Sequence, residues 1–200
     1  MTKLHERVSF RPPFASLGTH HAFVPFLPTS LHPNGYTLAS AGNDGLVNLW
    51  DVRKFKGGRK FSSPKAMATQ RIGLSVSSSY FSPSGNSLLS TSFANRLDLV
   101  ENAHQLKGTI KPTRSIPHNN QTGRWLSTFM ACWHPTRDIF LCGSMKKPRC
   151  TEIFDGEGNL LRAVTGDSLT AVASRCCFHP STKKLVLIGG NSSGRVTVIR

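Results

Sequence analysis

Four stretches decide how this chain is read: SLHPNGYTLASAG over residues 30–42, YFSPSGNSLLSTS over 80–92, CWHPTRDIFLCGS over 132–144 and CFHPSTKKLVLIGG over 177–190. Each places an apolar residue and a His or Ser before a proline, then a polar turn, then a short apolar run. Pro33, Pro83, Pro135 and Pro180 stand 50, 52 and 45 residues apart. Proline presets φ for the turn, and the Asn, Ser, Thr or Gly residues that follow accept its geometry. The runs Thr37 to Ala41, Asn86 to Ser92, Ile139 to Gly143 and Leu185 to Gly189 then read as short strands, with small residues where sheets approach closely. A second polar turn follows, Gly42-Asn43-Asp44-Gly45 in the first unit and Gly190-Asn191-Ser192-Ser193-Gly194 in the last, which is a hairpin signal.

The spacing falls in the roughly 40–50-residue period of propeller blades. It predicts an all-β chain of about four blades, each read as three strands joined by two turns. A seven-bladed ring at about 40–45 residues per blade needs roughly 300 residues, so the 200 residues read as part of such a ring, from the C-terminal part of a longer product or a shortened isoform. The propeller region is placed at residues 30–200. Residues 1–29, with Pro12, Pro13, Pro25 and Pro28, show no further unit and are set apart as an atypical N-terminal segment, disorder being one option for it.

The first unit closes with Leu46-Val47-Asn48-Leu49-Trp50-Asp51, and here the chain resembles the WD-repeat propellers. The resemblance implies that Ser40, Asp44 and Trp50 join by hydrogen bonds. The family's usual Gly-His before the first strand is absent. Later units carry Leu99, Phe154 and Ile199 where the first has Trp50.

Composition agrees with short elements. Hydrophobic residues are 38% and charged residues 18%, with 17 Gly and 12 Pro, too apolar for a disordered tail and too punctuated for a helical bundle. No stretch approaches the roughly 18–20 apolar residues of a membrane helix, so no membrane partner is expected. Lys and Arg number 25 against 10 Asp and Glu, a net charge of +15 that attracts polyanions, nucleic acid first among them. The five cysteines, Cys132, Cys142, Cys150, Cys176 and Cys177, lack the paired spacing of zinc sites and read as reduced core thiols. There is no phosphate loop, no G-x-S-x-G elbow and no evident carboxylate pair, which points to a non-enzymatic binding module with no cofactor and no metal.

A narrower resemblance runs from about Ser30 to Arg200. Asn119-Asn120-Gln121-Thr122-Gly123-Arg124-Trp125-Leu126, Cys132-Trp133-His134-Pro135, Gly143-Ser144-Met145, Pro148-Arg149, Glu152-Ile153-Phe154 and Gly189-Gly190-Asn191-Ser192-Ser193-Gly194 resemble the WD repeat-containing protein 76 family, related to the DNA damage-binding protein 2 group. The resemblance implies a nuclear protein that binds duplex DNA, damaged or modified DNA in some members, and docks on the large damage-binding adaptor of a cullin-RING ubiquitin ligase. Trp50, Asp51 and Arg53 match the W-D-x-R box that engages the adaptor. Gly123, Arg124 and Trp125 occupy the place of the hairpin that reaches into DNA, though the residue types differ from those of the damage-binding relatives.

The charges point the same way. Lys54, Lys56, Arg59, Lys60, Lys65 and Arg71 occupy the connection after the first third strand. Lys107, Lys111, Arg114 and Arg124 occupy the next such connection, and Lys146, Lys147 and Arg149 the turn between second and third strands of unit three. With the usual blade order, both loop types are expected to open on one face and the His-Pro and Ser-Pro turns on the other. Lysines there would bind phosphate without reading sequence, and Trp125 would stack on an unstacked base. Other readings stand beside these: Trp125 as a buried loop anchor, the Lys54 to Arg71 run as a solvated insert, Arg53 as the partner of a neighbouring acid, and the chain as a scaffold for histones or replication proteins.

Overall fold

The computed structural model describes residues 28–55, 65–123, 126–166, 169–180, 186–191 and 193–199. Sixteen short strands among them form four sheets. The first unit contains β1 (Thr29–Leu31), β2 (Thr37–Ala41), β3 (Leu46–Asp51) and β4 (Ala68–Arg71), and the second opens with β5 (Val76–Phe81), β6 (Ser87–Ser92) and β7 (Arg96–Glu101). Next come β8 (Gly108–Ile110) and β9 (Arg114–Pro117). The third unit is β10 (Cys132–Trp133), β11 (Ile139–Ser144), β12 (Cys150–Asp155) and β13 (Leu160–Thr165), and the fourth β14 (Arg175–Phe178), β15 (Leu187–Gly190) and β16 (Val196–Ile199). Neighbours pair antiparallel as β1-β2-β3-β4, β5-β6-β7-β9, β10-β11-β12-β13 and β14-β15-β16. Strand β8 leaves its own unit and adds to β4 in parallel, with Ala68 opposite Gly108 and Gln70 opposite Ile110. These are blades of a partial WD propeller.

The proline turns fold alike. The amide of the residue before the proline donates to a carbonyl at the start of the second strand: His32 to Thr37 (2.8 Å), Ser82 to Ser87 (2.8 Å), His134 to Ile139 (2.8 Å) and His179 to Val186 (2.9 Å). This shared bond sets the register between units. It aligns Leu38, Leu88, Phe140 and Leu187, whose third-strand partners are Trp50, Val100, Phe154 and Ile199. The second unit therefore replaces Trp50 by Val100, not by Leu99 as the sequence suggests, a slip of one residue that exchanges the two faces of a strand.

Both faces of β6, between two neighbouring units, are covered, and every residue of it is buried, whereas β2 and β3 of the first unit alternate buried and half-buried. Leu88 and Val100 join Ala39, Val47, Leu49 and Phe81 in the core between units one and two. Their neighbours Leu89 and Leu99 join Phe129, Trp133, Phe140 and Phe154 between units two and three. Leu141, Ile153, Phe178 and Leu187 fill the next interval. Trp133 also ties units together, its indole N–H donating to the Tyr80 carbonyl at 2.9 Å while its ring meets Phe140 edge-on at 5.1 Å. Gly143 marks the closest approach: a Cβ there would lie 1.8 Å from the Ala173 carbonyl oxygen.

Three further expectations change. Units one to three have a fourth strand, β4, β9 and β13, where three were read. Trp50 does donate to the Ser40 hydroxyl at 2.9 Å, but the Asp44 carboxylate accepts from the Leu46 amide at 3.1 Å and so closes its own turn. Cys142 and Cys150 are buried and Cys132 and Cys176 half-buried, but Cys177 is exposed and is not a core thiol, because its side chain alternates outward between Cys176 and the buried Phe178.

Candidate nucleic-acid interface

Antiparallel pairing of β2 with β3 decides which loops share a face: the chain leaves β3 at the opposite end of the sheet from the turn between β2 and β3, and β4 then carries it back. Each end is continuous from unit to unit. At the proline-turn end, the His32 ring Nε2–H donates to the Gly85 carbonyl (3.0 Å), Nδ1 being occupied by the Asn34 amide, and the Ser84 hydroxyl bonds to Asp138. At the other end, the Ser75 hydroxyl donates to the Asn43 side chain at 2.8 Å, and the Asn120 amide to that of Asn95 at 3.0 Å.

Lys54, in the short 3-10 turn that follows β3, therefore lies at the proline-turn end, with Lys107, which leads into β8, while Lys111 follows Ile110 in the direction in which β4 runs to Arg71. Lys146, Lys147 and Arg149 lie at the opposite end, in the turn between β11 and β12. The expected convergence of these two loop types does not occur. Lys56, Arg59, Lys60, Arg124 and Trp125 lie outside the described residues. Gly123, which precedes the last two, has φ +62° and follows β9 at the same end as Lys146.

Arg71, expected in the connection after the first third strand, closes β4 at this end. Sequence reasoning missed two other cations there: Arg175 opens β14 and donates to the Thr128 hydroxyl at 3.2 Å, and Arg195 sits in the turn before β16 and bonds to the Thr170 hydroxyl. Their signal was the repeat itself, which puts the start of a first strand and the turn before a third strand at one end. The proline-turn end has the opposite character between units two and three, where Glu101, Asp138, Asp155 and Glu157 line an open groove of about 670 Å³. Four of the chain's ten acidic residues thus gather away from Lys147 and Arg149.

The W-D-x-R residues form a clamp. Arg53 lays two nitrogens on the Asp51 carboxylate, at 2.9 and 2.8 Å, and its guanidinium stacks 4.0 Å from the Tyr36 ring centroid. Hydrogen bonding to Arg53 holds Asp51 down at about 2. The Arg53 side chain stays 65% exposed, so the pairing orients it without hiding it. Trp50 spends its ring N–H on Ser40 and its face on Phe55, 6.3 Å away.

Lys146 is different from Lys147. Its ammonium lies 2.6 Å from Oε1 of Glu152, a carboxylate only 4% exposed, and that bond raises the lysine's pKa. His118, which follows β9, approaches the other carboxylate oxygen at 3.5 Å, and burial lowers its pKa. Arg149 donates to the Met145 carbonyl at 2.9 Å, which braces the turn. Among the described residues, no group of three His, Cys, Asp or Glu could hold a metal ion, and no helix is long and apolar enough to cross a membrane.

The family described as "WD domain, G-beta repeat" matches residues 13–51, which cover the Ser40–Trp50 pair. The chain is a WD-repeat protein. It is 36% identical over 173 residues to WD repeat-containing protein 76 of Xenopus laevis, an alignment covering 85% of this chain and 29% of the relative. The mouse protein of the same name is 34% identical over 154 residues, 76% of this chain and 24% of the relative. A "DNA damage-binding protein CMR1" of Chaetomium globosum is 32% identical over 181 residues, 84% of this chain and 34% of the relative. The WD-repeat chain thus spans about a quarter to a third of the length of these curated relatives.

Proposed function

We propose that this WD-repeat chain is a non-enzymatic nuclear module that binds duplex DNA, with preference for damaged or modified duplex, through the end of its sheets that carries Lys147 and Arg149. The observation that carries the reading is a grouping of cations: Arg71, Lys147, Arg149, Arg175 and Arg195, from three units, share this end, while the acidic groove lies at the other. Such a face binds backbone phosphate by releasing counterions. The names of the relatives, DNA damage-binding proteins among them, support the damage-related part. Binding to intact and ultraviolet-irradiated duplex across a salt series tests it. The double substitution Lys147→Glu, Arg149→Glu is expected to reduce the slope of log affinity against log salt by about 2, whereas Lys54→Glu, at the far end, leaves it unchanged. An unchanged slope in the double variant, or a Lys54→Glu effect of equal size, refutes the assignment.

The same reading includes a place as substrate receptor of a cullin-RING ubiquitin ligase, with Trp50, Asp51 and Arg53 toward the large adaptor. The clamp keeps an exposed guanidinium at the proline-turn end, away from the DNA-binding end, so both partners are accommodated at once. Arg53→Glu is expected to abolish co-purification with the adaptor, and retention of the adaptor ends this role for the residue. The acidic groove favours a second reading, a scaffold for basic chromatin proteins such as histones. Duplex DNA should then fail to displace a histone peptide, because the two would occupy opposite ends.

A further inference from the structure

One register position recurs in the third strand of successive units: Asn48 opposite Ser40, Asp98 opposite Ser90, Glu152 opposite Cys142. In the first two, the fourth strand supplies a hydroxyl directly across. Thr69 donates to Asn48 at 2.7 Å, and Ser115 to Asp98 at 2.6 Å. In the third unit the residue across from Glu152 is Ala163, which has nothing to donate. The carboxylate instead lines an open groove of about 480 Å³ with Asn95, Pro117, His118, Ser144 and Met145, and its recorded partner is the exposed Lys146.

His118 does not make good the deficit. Asn120 donates its side-chain amide to the carbonyls of Ser92 and Arg96, so its oxygen faces the His118 ring and takes the Nδ1 proton at 2.7 Å. In the neutral ring Nε2 is then an acceptor. It is buried without a hydrogen-bond partner and looks at a second acceptor, Glu152 Oε2, 3.5 Å away. The wall is short of donors, and a buried acceptor left unmade is costly.

We propose that this groove receives the Watson–Crick edge of an unstacked guanine, whose N1–H and exocyclic amino group donate side by side to the Glu152 carboxylate. Guanine is the standard base that presents two adjacent N–H donors on that edge, and two carboxylate oxygens match their spacing. Lys146 leaves the carboxylate for a backbone phosphate, beside Lys147 and Arg149 on the rim. The base must be out of the stack, because in a duplex that edge is engaged by cytosine. The proposal rests on the DNA-binding reading and assigns to it a base preference.

Fluorescence anisotropy with duplexes carrying a single-nucleotide bulge of guanine, inosine or adenine tests it. The guanine bulge is expected to bind about ten-fold tighter than adenine, the discrimination of one good bidentate pair, with inosine, which lacks the amino group, in between. Glu152→Gln should bring the three affinities together while keeping the salt dependence. Ala163→Ser is the second variant: it restores the hydroxyl found in the other units, occupies the carboxylate and should shrink the preference without removing any charge. Equal affinity of the parent chain for all three bulges overturns the guanine assignment and leaves DNA binding standing. Absence of binding to any duplex overturns both. A Glu152-dependent affinity for an arginine-containing acidic peptide, with no base preference, gives the groove to a protein partner and also overturns it.

Discussion

Asp98→Ala should be among the most damaging single substitutions in the chain. The carboxylate is 1% exposed and accepts from Gln70 Nε2 at 3.0 Å, Arg96 Nε at 3.0 Å and the Ser115 hydroxyl at 2.6 Å, joining the first unit's outer strand to two strands of the second. Removing one partner of a fully buried ion pair costs about 3–5 kcal/mol. Arg96 is 35% exposed here and Ser115 lies at the surface, so both can turn to water. Gln70 cannot: it is 1% exposed, its oxygen already lacks a partner, and a stranded buried amide costs about 1–3 kcal/mol. With about 1 kcal/mol for the hydrogen bonds lost from Arg96 and Ser115, the total is about 2–4 kcal/mol. At a urea slope of about 2 kcal/mol per molar, the midpoint should fall by about 1–2 M. Asn48→Ala is the control, since the equivalent side chain is half-buried with one hydroxyl partner and should cost about 1 kcal/mol. If Asp98→Ala shifts the midpoint no further than Asn48→Ala, the idea that this register position holds adjacent units together is wrong.

Trp50→Phe removes the bond to Ser40 and keeps most of the ring, so a loss of about 0.5–1.5 kcal/mol should lower the melting temperature by a few degrees, as read by circular dichroism. His118 should titrate below the ordinary 6.5 because burial opposes its charge. As pH falls through 6.5 the unfolded chain takes up this proton before the folded one, so His118 contributes stability above that pH and loses it on acidification. Proton NMR of the imidazole checks the direction, and Glu152→Gln should lower the midpoint further, since the Glu152 charge raises it.

The repeated proline turns were legible because each is local: proline fixes φ, the next residues close a tight bend, and the strand after it starts where the turn bond requires. The predicted Thr37 to Ala41 matches β2 to the residue. The outer strands were not legible for an equally physical reason. β4 is Ala68-Thr69-Gln70-Arg71 and β9 is Arg114-Ser115-Ile116-Pro117, both short and polar; β9 is an edge strand with one open side, and Pro117 fits only where an N–H is not needed by a neighbour. Missing them left the path after each third strand undrawn, and Lys54, which leaves β3 at the proline-turn end, was grouped with Lys147 at the other.

Glu152 shows the same division. The sequence offers it only as a charged residue in a strand, beside Ile153 and Phe154. Its isolation appears when pairing sets Ala163 across from it and the chain after β9 brings His118 against it, 34 residues upstream.

The sequence alone determined that this chain is built from repeated strand-turn-strand units, that one carries a Trp-Asp strand end, and that its charge favours polyanions, because turn geometry, strand pattern and net charge are local or additive. The tertiary structure decided which end of the sheets each charge occupies, which residue stands in for Trp50 in each unit, and which carboxylate lacks the cross-strand hydroxyl found in the other units. Those depend on strand count and cross-strand register, and register is fixed by partners many residues away.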